Sequence, residues 1–227
     1  MMTQVCFVGD GALAGIGVED GLGWPGRLAR RLRRQGRAPS VYNLGVRYDT
    51  TAEIALRWER ECAARLTDQG GVVFAFGLND MATHDGDSIR VPLMDSLANA
   101  EAIVGRAAAR WPVLWVGPPP VLPSNHLRHA VRPRGFVYSH SRLAGLNDAY
   151  QSLAAGLDVP YLDLAGALGD GPGWREALER GDGVHPDGHG YELLAAHVAA
   201  WDAWRDWFSR RGTGGGTVRP LNAMAAR

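Results

Sequence analysis

The stretch VCFVGDGALAG, residues 5–15, decides the fold. An apolar run, Val5–Val8, ends in the glycine turn Gly9-Asp10-Gly11. Such a turn either cradles a phosphate or presents a reactive group at the rim of a sheet. Gly9-Asp10-Gly11-Ala12-Leu13-Ala14 fits the dinucleotide pattern G-x-G-x-x-A. That pattern requires a helix starting at the turn. Here Gly15, Gly17, Gly21, Gly23 and Pro25 follow, so a helix from Gly11 is expected to be poor and Trp24-Pro25 is the better start. The second strand should also end in an acid for the ribose, and it ends in Asn43-Leu44-Gly45. Arg47 would suit a 2′-phosphate, but nothing else supports that reading. The phosphate cradle is set aside.

Short apolar runs and helix-period segments alternate outward from this turn. Strands are expected at Gln4–Gly9, Ser40–Gly45, Gly71–Gly77, Pro112–Gly117 and Val159–Leu164. The third is apolar throughout, as a strand covered on both faces should be. The fourth stops at Pro118-Pro119-Pro120, which cannot continue a ladder. Thr50–Leu66 predicts a helix, with Ile54, Trp58, Cys62 and Leu66 on one face and Thr50-x-x-Glu53 as a capping box. Further helices are expected over Pro92–Arg110 and Ser139–Gly156, and after Asp187 as a cap, running through Tyr191, Leu194, Val198 and Trp201. This alternation predicts a three-layer α/β/α domain around a five-stranded parallel sheet in the flavodoxin-like order 2-1-3-4-5. One domain is expected over residues 1–209, with a flexible Gly-rich tail over residues 210–227.

Bulk properties exclude several function classes. Basic and acidic residues balance, 24 against 24, so nothing in the net charge points to nucleic acid. Every strong base is arginine; without lysine there is no Schiff base and no P-loop lysine. The run Arg27–Arg37 reads as the solvated face of an amphipathic helix. Cys6 and Cys62 read as core residues, not a disulfide framework or zinc site. No apolar run reaches membrane-spanning length and the first residues do not read as a signal peptide, so a cytoplasmic protein is expected. Trp201, Trp204, Trp207 and Phe208 form an aromatic patch, read first as core packing and second as a homodimer contact. The basic loop Asn125–Arg134 is read as solvated.

In a doubly wound sheet the site lies beyond the carboxyl ends of the strands. Gly9-Asp10-Gly11, Asn43-Leu44-Gly45 and Gly77-Leu78-Asn79-Asp80 all fall on that rim. Before the last helix, GDGVHPDGHG (residues 181–190) sets Asp182 three residues from His185. A carboxylate there accepts from one imidazole nitrogen and frees the other as a base. The alternatives are a capping turn with a surface histidine, or a metal site at His185, Asp187 and His189. Asp187 suits a helix cap better, so no metal and no cofactor are expected.

Four blocks, Phe7–Gly11, Asn43–Val46, Gly77–Asp80 and Asp182–Pro186, together resemble the SGNH or GDSL hydrolases, across about Val5 to Trp201. The resemblance implies His185 as general base and Asp182 as its orienter. It implies an oxyanion hole from the backbone N–H groups of Gly11 and Gly45 and the Asn79 side chain. Asp10 would hold its turn and Asp80 would support the third loop. The family nucleophile is the serine of G-D-S, and that position is Gly11. Glycine has no hydroxyl, so normal acyl-enzyme turnover on a small acyl ester is expected to be lost. Its missing side chain leaves room for a water. The chain is then either an esterase whose serine was replaced or a member that lacks it by nature. The alternative function is a non-hydrolytic member that binds or rearranges an acylated metabolite with the His185–Asp182 dyad as acid and base.

Overall fold

The computed structural model describes residues 2–84, 88–122, 136–169 and 171–209. The basic loop Asn125–Arg134 and the tail 210–227 lie outside the described residues. In chain order the elements are β1 Gln4–Gly9, α1 Gly11–Ala14, α2 Trp24–Arg34, β2 Ser40–Gly45, α3 Thr51–Ala63 and β3 Gly70–Ala75. There follow β4 Thr83–His84, β5 Ser88–Ile89, α4 Leu93–Ala108, β6 Val113–Val116, β7 Phe136–Val137 and α5 His140–Gly156. The last are β8 Tyr161–Leu162, α6 Leu164–Leu168, α7 Pro172–Arg180, α8 Gly188–Ala200 and α9 Asp202–Phe208.

The central sheet is parallel, in the order β2-β1-β3-β6-β8. Counting only its own five strands, this is the expected order 2-1-3-4-5. Side chains alternate along each strand, so each strand feeds two cores. Val5, Phe7, Val73, Leu114 and Val116 pack against α2, α6, α7, α8 and α9. Cys6, Val8, Val72, Phe74 and Trp115 pack against α3, α4 and α5. Both faces are therefore covered, which is why β3 is buried at every position. Cys6 and Cys62 are free thiols within the second core.

Four readings of the sequence change. A helix does begin at Gly11, but it is one turn long, ended by Gly15 in the left-handed region at φ 73°. Asp10 makes it possible by capping it, its Oδ1 accepting from the Ala12 N–H at 3.0 Å. The fifth strand shrinks to Tyr161–Leu162, because Asp163 caps α6 immediately after it. The Gly-rich segment beyond contains α6 and α7, too short for a periodic signal. The last helix breaks at Trp201 into α8 and α9, which turns Trp204 and Phe208 into the core beside Phe7. Trp201 and Trp207 pack partly buried against them.

The arginine run is also not one solvated face. Arg27 is 6% exposed and bridges Asp20 and Glu192, while Arg30 and Arg31 converge on the same Glu192 at 2.9 Å. Glu192 gathers three arginines from α2 onto α8, and α2 is locked to the last helix through charge as well as through Leu28 and Leu32. The second sheet, β5-β4-β7, has two-residue antiparallel strands that carry no sequence signal. It matters because Tyr138, next after β7, reaches the site.

Candidate active site

Local backbone demands bring four segments to the carboxyl end of the sheet. The first is the β1 turn. Gly9 is required there, since a Cβ would sit 1.8 Å from the Ala75 carbonyl oxygen of β3. Asp10 follows, 1% exposed. Its Oδ1 holds α1, and its Oδ2 is buried without a partner among the described residues. Burial pushes this carboxyl from 3.8 up to about 7, helped by repulsion from Asp80 and Asp49 and opposed by the Ala12 N–H. The next N–H, that of Gly11, opens the α1 turn and has no partner among the described residues.

The second segment carries the dyad. Gly181 must be glycine, because a Cβ would meet the His185 carbonyl oxygen at 2.0 Å. The tight turn that results aims the Asp182 carboxylate back at His185. Its Oδ1 accepts from the backbone N–H groups of Val184 (3.0 Å) and His185 (2.7 Å). Its Oδ2 lies 2.9 Å from His185 Nδ1. Burial alone would raise the Asp182 carboxyl, but the His185 ring and the two backbone donors outweigh it and hold it well below the usual carboxylate range. An ionised Asp182 has no proton to give, so Nδ1 carries the hydrogen of this contact and Nε2 is the ring nitrogen turned away from Asp182. The neighbouring Asp187 is the α8 cap, accepting from the Gly190 N–H at 3.0 Å and from Arg180. His189 is exposed in the first turn of α8. Among the described residues no group of three metal-binding side chains forms.

The dyad faces the β1 turn. A Cβ on Gly11 would lie 2.7 Å from His185 Nε2, and the next backbone atom it would meet is Arg47 Cα at 3.7 Å. The imidazole edge therefore reaches into the place a Gly11 side chain would take, which was expected to be left for a water.

The third segment is the loop after β3. Gly77 has φ 110°, a conformation open to glycine, and a Cβ there would strike the Tyr150 ring at 2.7 Å. Asn79 is fixed from both ends of its amide: Tyr138 Oη donates to Oδ1 at 3.2 Å, and Nδ2 donates to the Asp49 carbonyl at 3.0 Å. Nδ2 carries a second hydrogen beyond that bond. Asp80 faces away, into a buried network. It accepts from the Thr51 N–H (2.8 Å) and hydroxyl (2.7 Å) and from the Ser96 hydroxyl (2.6 Å). It thus satisfies the first turn of α3 from outside the helix, and burial raises its pKa despite these donors.

The fourth segment, the loop after β2, differs most from expectation. The Gly45 N–H donates to the Asn43 side chain at 3.0 Å, and that amide in turn donates to the Leu13 carbonyl at 2.7 Å. A Cβ on Gly45 would crowd Leu13 and the Asp10 carbonyl oxygen, both under 3.0 Å. Gly45 is thus a packing contact beneath α1 whose amide is already engaged. The part of the loop that reaches Gly11 is Arg47-Tyr48. Tyr48 is held at φ 72°, which is costly for an aromatic residue.

Arg57 on α3, unnoticed in the sequence, organises this loop. Its guanidinium donates to the carbonyls of Gly9 (2.9 Å) and Leu44 (2.9 Å) and to Asp49 Oδ2 (2.7 Å). One side chain joins the ends of β1 and β2 to the loop that holds Asn79. Arg57→Ala should cost about 2–3 kcal/mol in a urea titration, since several charge-assisted bonds are lost from a half-buried site. A cost under about 0.5 kcal/mol would show that the loop stands without it.

Sequence and fold are similar to those of known proteins. Residues 7–193 match the family described as GDSL-like Lipase/Acylhydrolase. The crystal structure of the lipase/acylhydrolase from Enterococcus faecalis superposes with TM-score 0.72 at 25% identity, covering 90% of this chain and 97% of that one. TesA gives 0.67 at 22% identity, over 90% of this chain and 99% of its own. AlinE4, an SGNH-hydrolase family esterase, gives 0.59 at 23%, over 88% and 94%. The last two similarities speak to fold alone. No curated protein matches the chain. A parallel sheet with an Asp–His pair over its first strand turn, and a sequence match across most of the chain, lead to one assignment: the chain belongs to the GDSL-like lipase/acylhydrolase family.

Proposed function

We propose that the chain is an ester hydrolase pocket of the SGNH type in which Gly11 stands at the nucleophile position, so that acyl transfer proceeds without an acyl-enzyme. One observation carries this reading: the His185 ring, held by Asp182 through Nδ1, brings Nε2 to 2.7 Å from the position a Gly11 Cβ would take, so the imidazole reaches into the place of the missing side chain. Among the described residues the atoms nearest a Gly11 Cβ are those of His185 and Arg47, with no hydroxyl or thiol among them, and Cys6 lies inside the sheet. The base therefore acts on water. Nε2 takes a proton from the water as its oxygen attacks the ester carbonyl. The carbonyl electrons move onto oxygen, and the Gly11 N–H and the second Asn79 Nδ2 hydrogen stabilise that oxyanion. Collapse expels the alkoxide, which takes the proton back from Nε2 and leaves as alcohol. The acyl group departs as a free acid. Asp182 stabilises the imidazolium that exists between the two transfers.

A small acyl ester is the substrate class. The same base would also serve a ligand hydroxyl in place of water. The acyl group would then migrate within the ligand and no acid would be released, so product analysis separates the two reactions. Slow hydrolysis of p-nitrophenyl acetate is expected, about 10³–10⁴ over the uncatalysed rate, the level left in triad enzymes without a triad member. His185→Ala should remove most of it. A rate unchanged by that substitution would overturn the reading.

A further inference from the structure

Arg47 runs past Gly11, with its Cα 3.7 Å from the position of a Gly11 Cβ. Many arginines of this chain meet carboxylates: Arg27, Arg57, Arg90, Arg106 and Arg180 all do. Arg47 is exposed and meets none among the described residues. Its guanidinium instead lies over the Tyr48 ring, 4.8 Å from the centroid. That ring is itself built into place. Tyr48 occupies the left-handed region, its carbonyl accepts from Arg90 at 2.9 Å, and its ring packs on Phe136 at 5.7 Å. The Arg90 guanidinium lies 4.8 Å from the Phe136 centroid. Two cations thus meet two mutually tilted rings at the edge of the site.

An arginine placed over an aromatic face keeps N–H groups available to a planar or tetrahedral anion. The left-handed Tyr48 is a cost that the surrounding contacts sustain, as at ligand-binding loops. We propose that Arg47 is a specificity-determining residue, and that the ester taken by this site carries a negative group, carboxylate or phosphate, within one arginine side chain's length of the reacting carbonyl. The inference rests on the active-site reading above. Bound this way, the anion fixes the ester over Gly11 and compensates for the anchoring a covalent intermediate would supply. Arg47 touches the remote group, and His185, Gly11 and Asn79 face the reacting atoms.

The test is a binding measurement, which does not depend on turnover. Monomethyl succinate places a carboxylate on the acyl side, and the acetyl ester of glycerol 3-phosphate places a phosphate on the alcohol side. Dimethyl succinate and glyceryl monoacetate are the neutral comparisons. Affinities come from calorimetry on the full chain, and the His185 ring resonances report whether each ligand sits at the dyad. At least one anionic ester should bind tenfold or more tighter than its neutral counterpart, the scale of one charge-assisted contact. Arg47→Gln should reduce that ratio to under twofold, and Arg47→Lys should retain part of it. The arm that shows the preference identifies the anion. If the neutral esters perturb His185 but no anionic preference exists, or if Arg47→Gln keeps the ratio, the Arg47 proposal falls while the site reading stands. If no ester perturbs His185, both fall.

Discussion

Gly11→Ser is expected to raise kcat/KM for p-nitrophenyl acetate by about a thousandfold or more. The expectation follows from what is already in place. Asp182 holds the His185 ring through Nδ1, Nε2 lies beside Gly11, and the candidate oxyanion donors sit at the same strand ends. Members of a catalytic triad act as a unit, so supplying the one absent group recovers most of the total effect. The new Cβ would lie 2.7 Å from His185 Nε2 and 3.7 Å from Arg47 Cα. The imidazole must withdraw by about 0.7 Å to reach the 3.4 Å of ordinary contact, pivoting on its Asp182 bond, which leaves Nε2 in hydrogen-bond range of the new hydroxyl. Gly11→Ala imposes the same displacement without the hydroxyl and is expected to stay at or below the parent rate. A folded Gly11→Ser protein no faster than Gly11→Ala would mean the pocket has diverged from hydrolysis.

Asp10 gives the second large effect, on stability. Its carboxyl rises from 3.8 in the unfolded chain to about 7 in the fold, chiefly through burial. The folded state therefore holds this proton more tightly than the unfolded state does. The associated stability is fully present below about pH 3.8. It declines as pH rises and is lost above about pH 7, a difference of about 4 kcal/mol. Asp80 is shifted in the same direction and adds to the slope. Asp182 acts oppositely, but its contribution disappears only in more acid solution. Asp10→Asn keeps an oxygen for the Ala12 N–H and cannot ionise. Urea titrations between pH 4 and pH 8 should then show a much shallower decline than the parent protein. Absolute stability is the poorer readout, because the new amide N–H groups enter the place where Oδ2 has no partner. Equal slopes in both proteins would show that Asp10 ionises freely in the fold.

The architecture was readable because its signals are periodic. A run such as Gly70–Ala75, apolar at each position, can only be a strand covered on both faces, and α3 announces itself through Ile54, Trp58 and Cys62. The dyad was readable for a different reason: Asp182 and His185 lie in one tight turn, so spacing alone brings them together. Contacts between distant segments left no such trace. Arg57 looked like one more charge on a helix, and its role depends on Gly9 lying 48 residues away in sequence. Arg27 likewise meets Glu192 only because α2 packs on α8. Gly45 sits in a segment whose sequence gives no hint of the turn beyond it, where Tyr48 is left-handed and Arg47 passes close to Gly11. The one-turn helix at Gly11 was hidden because its stability comes from the Asp10 cap and burial, while its own propensity is low.

The central claim is that this pocket is a hydrolase site lacking only its nucleophile, and intact-mass spectrometry after exposure to a fluorophosphonate ester tests it most directly. Such a reagent phosphonylates an activated serine and releases fluoride. The parent chain should remain unmodified, Gly11→Ser should gain one phosphonyl group per molecule, and Gly11→Ser with His185→Ala should lose it again. A parent chain that is labelled, or a folded Gly11→Ser protein that is not, would contradict the account.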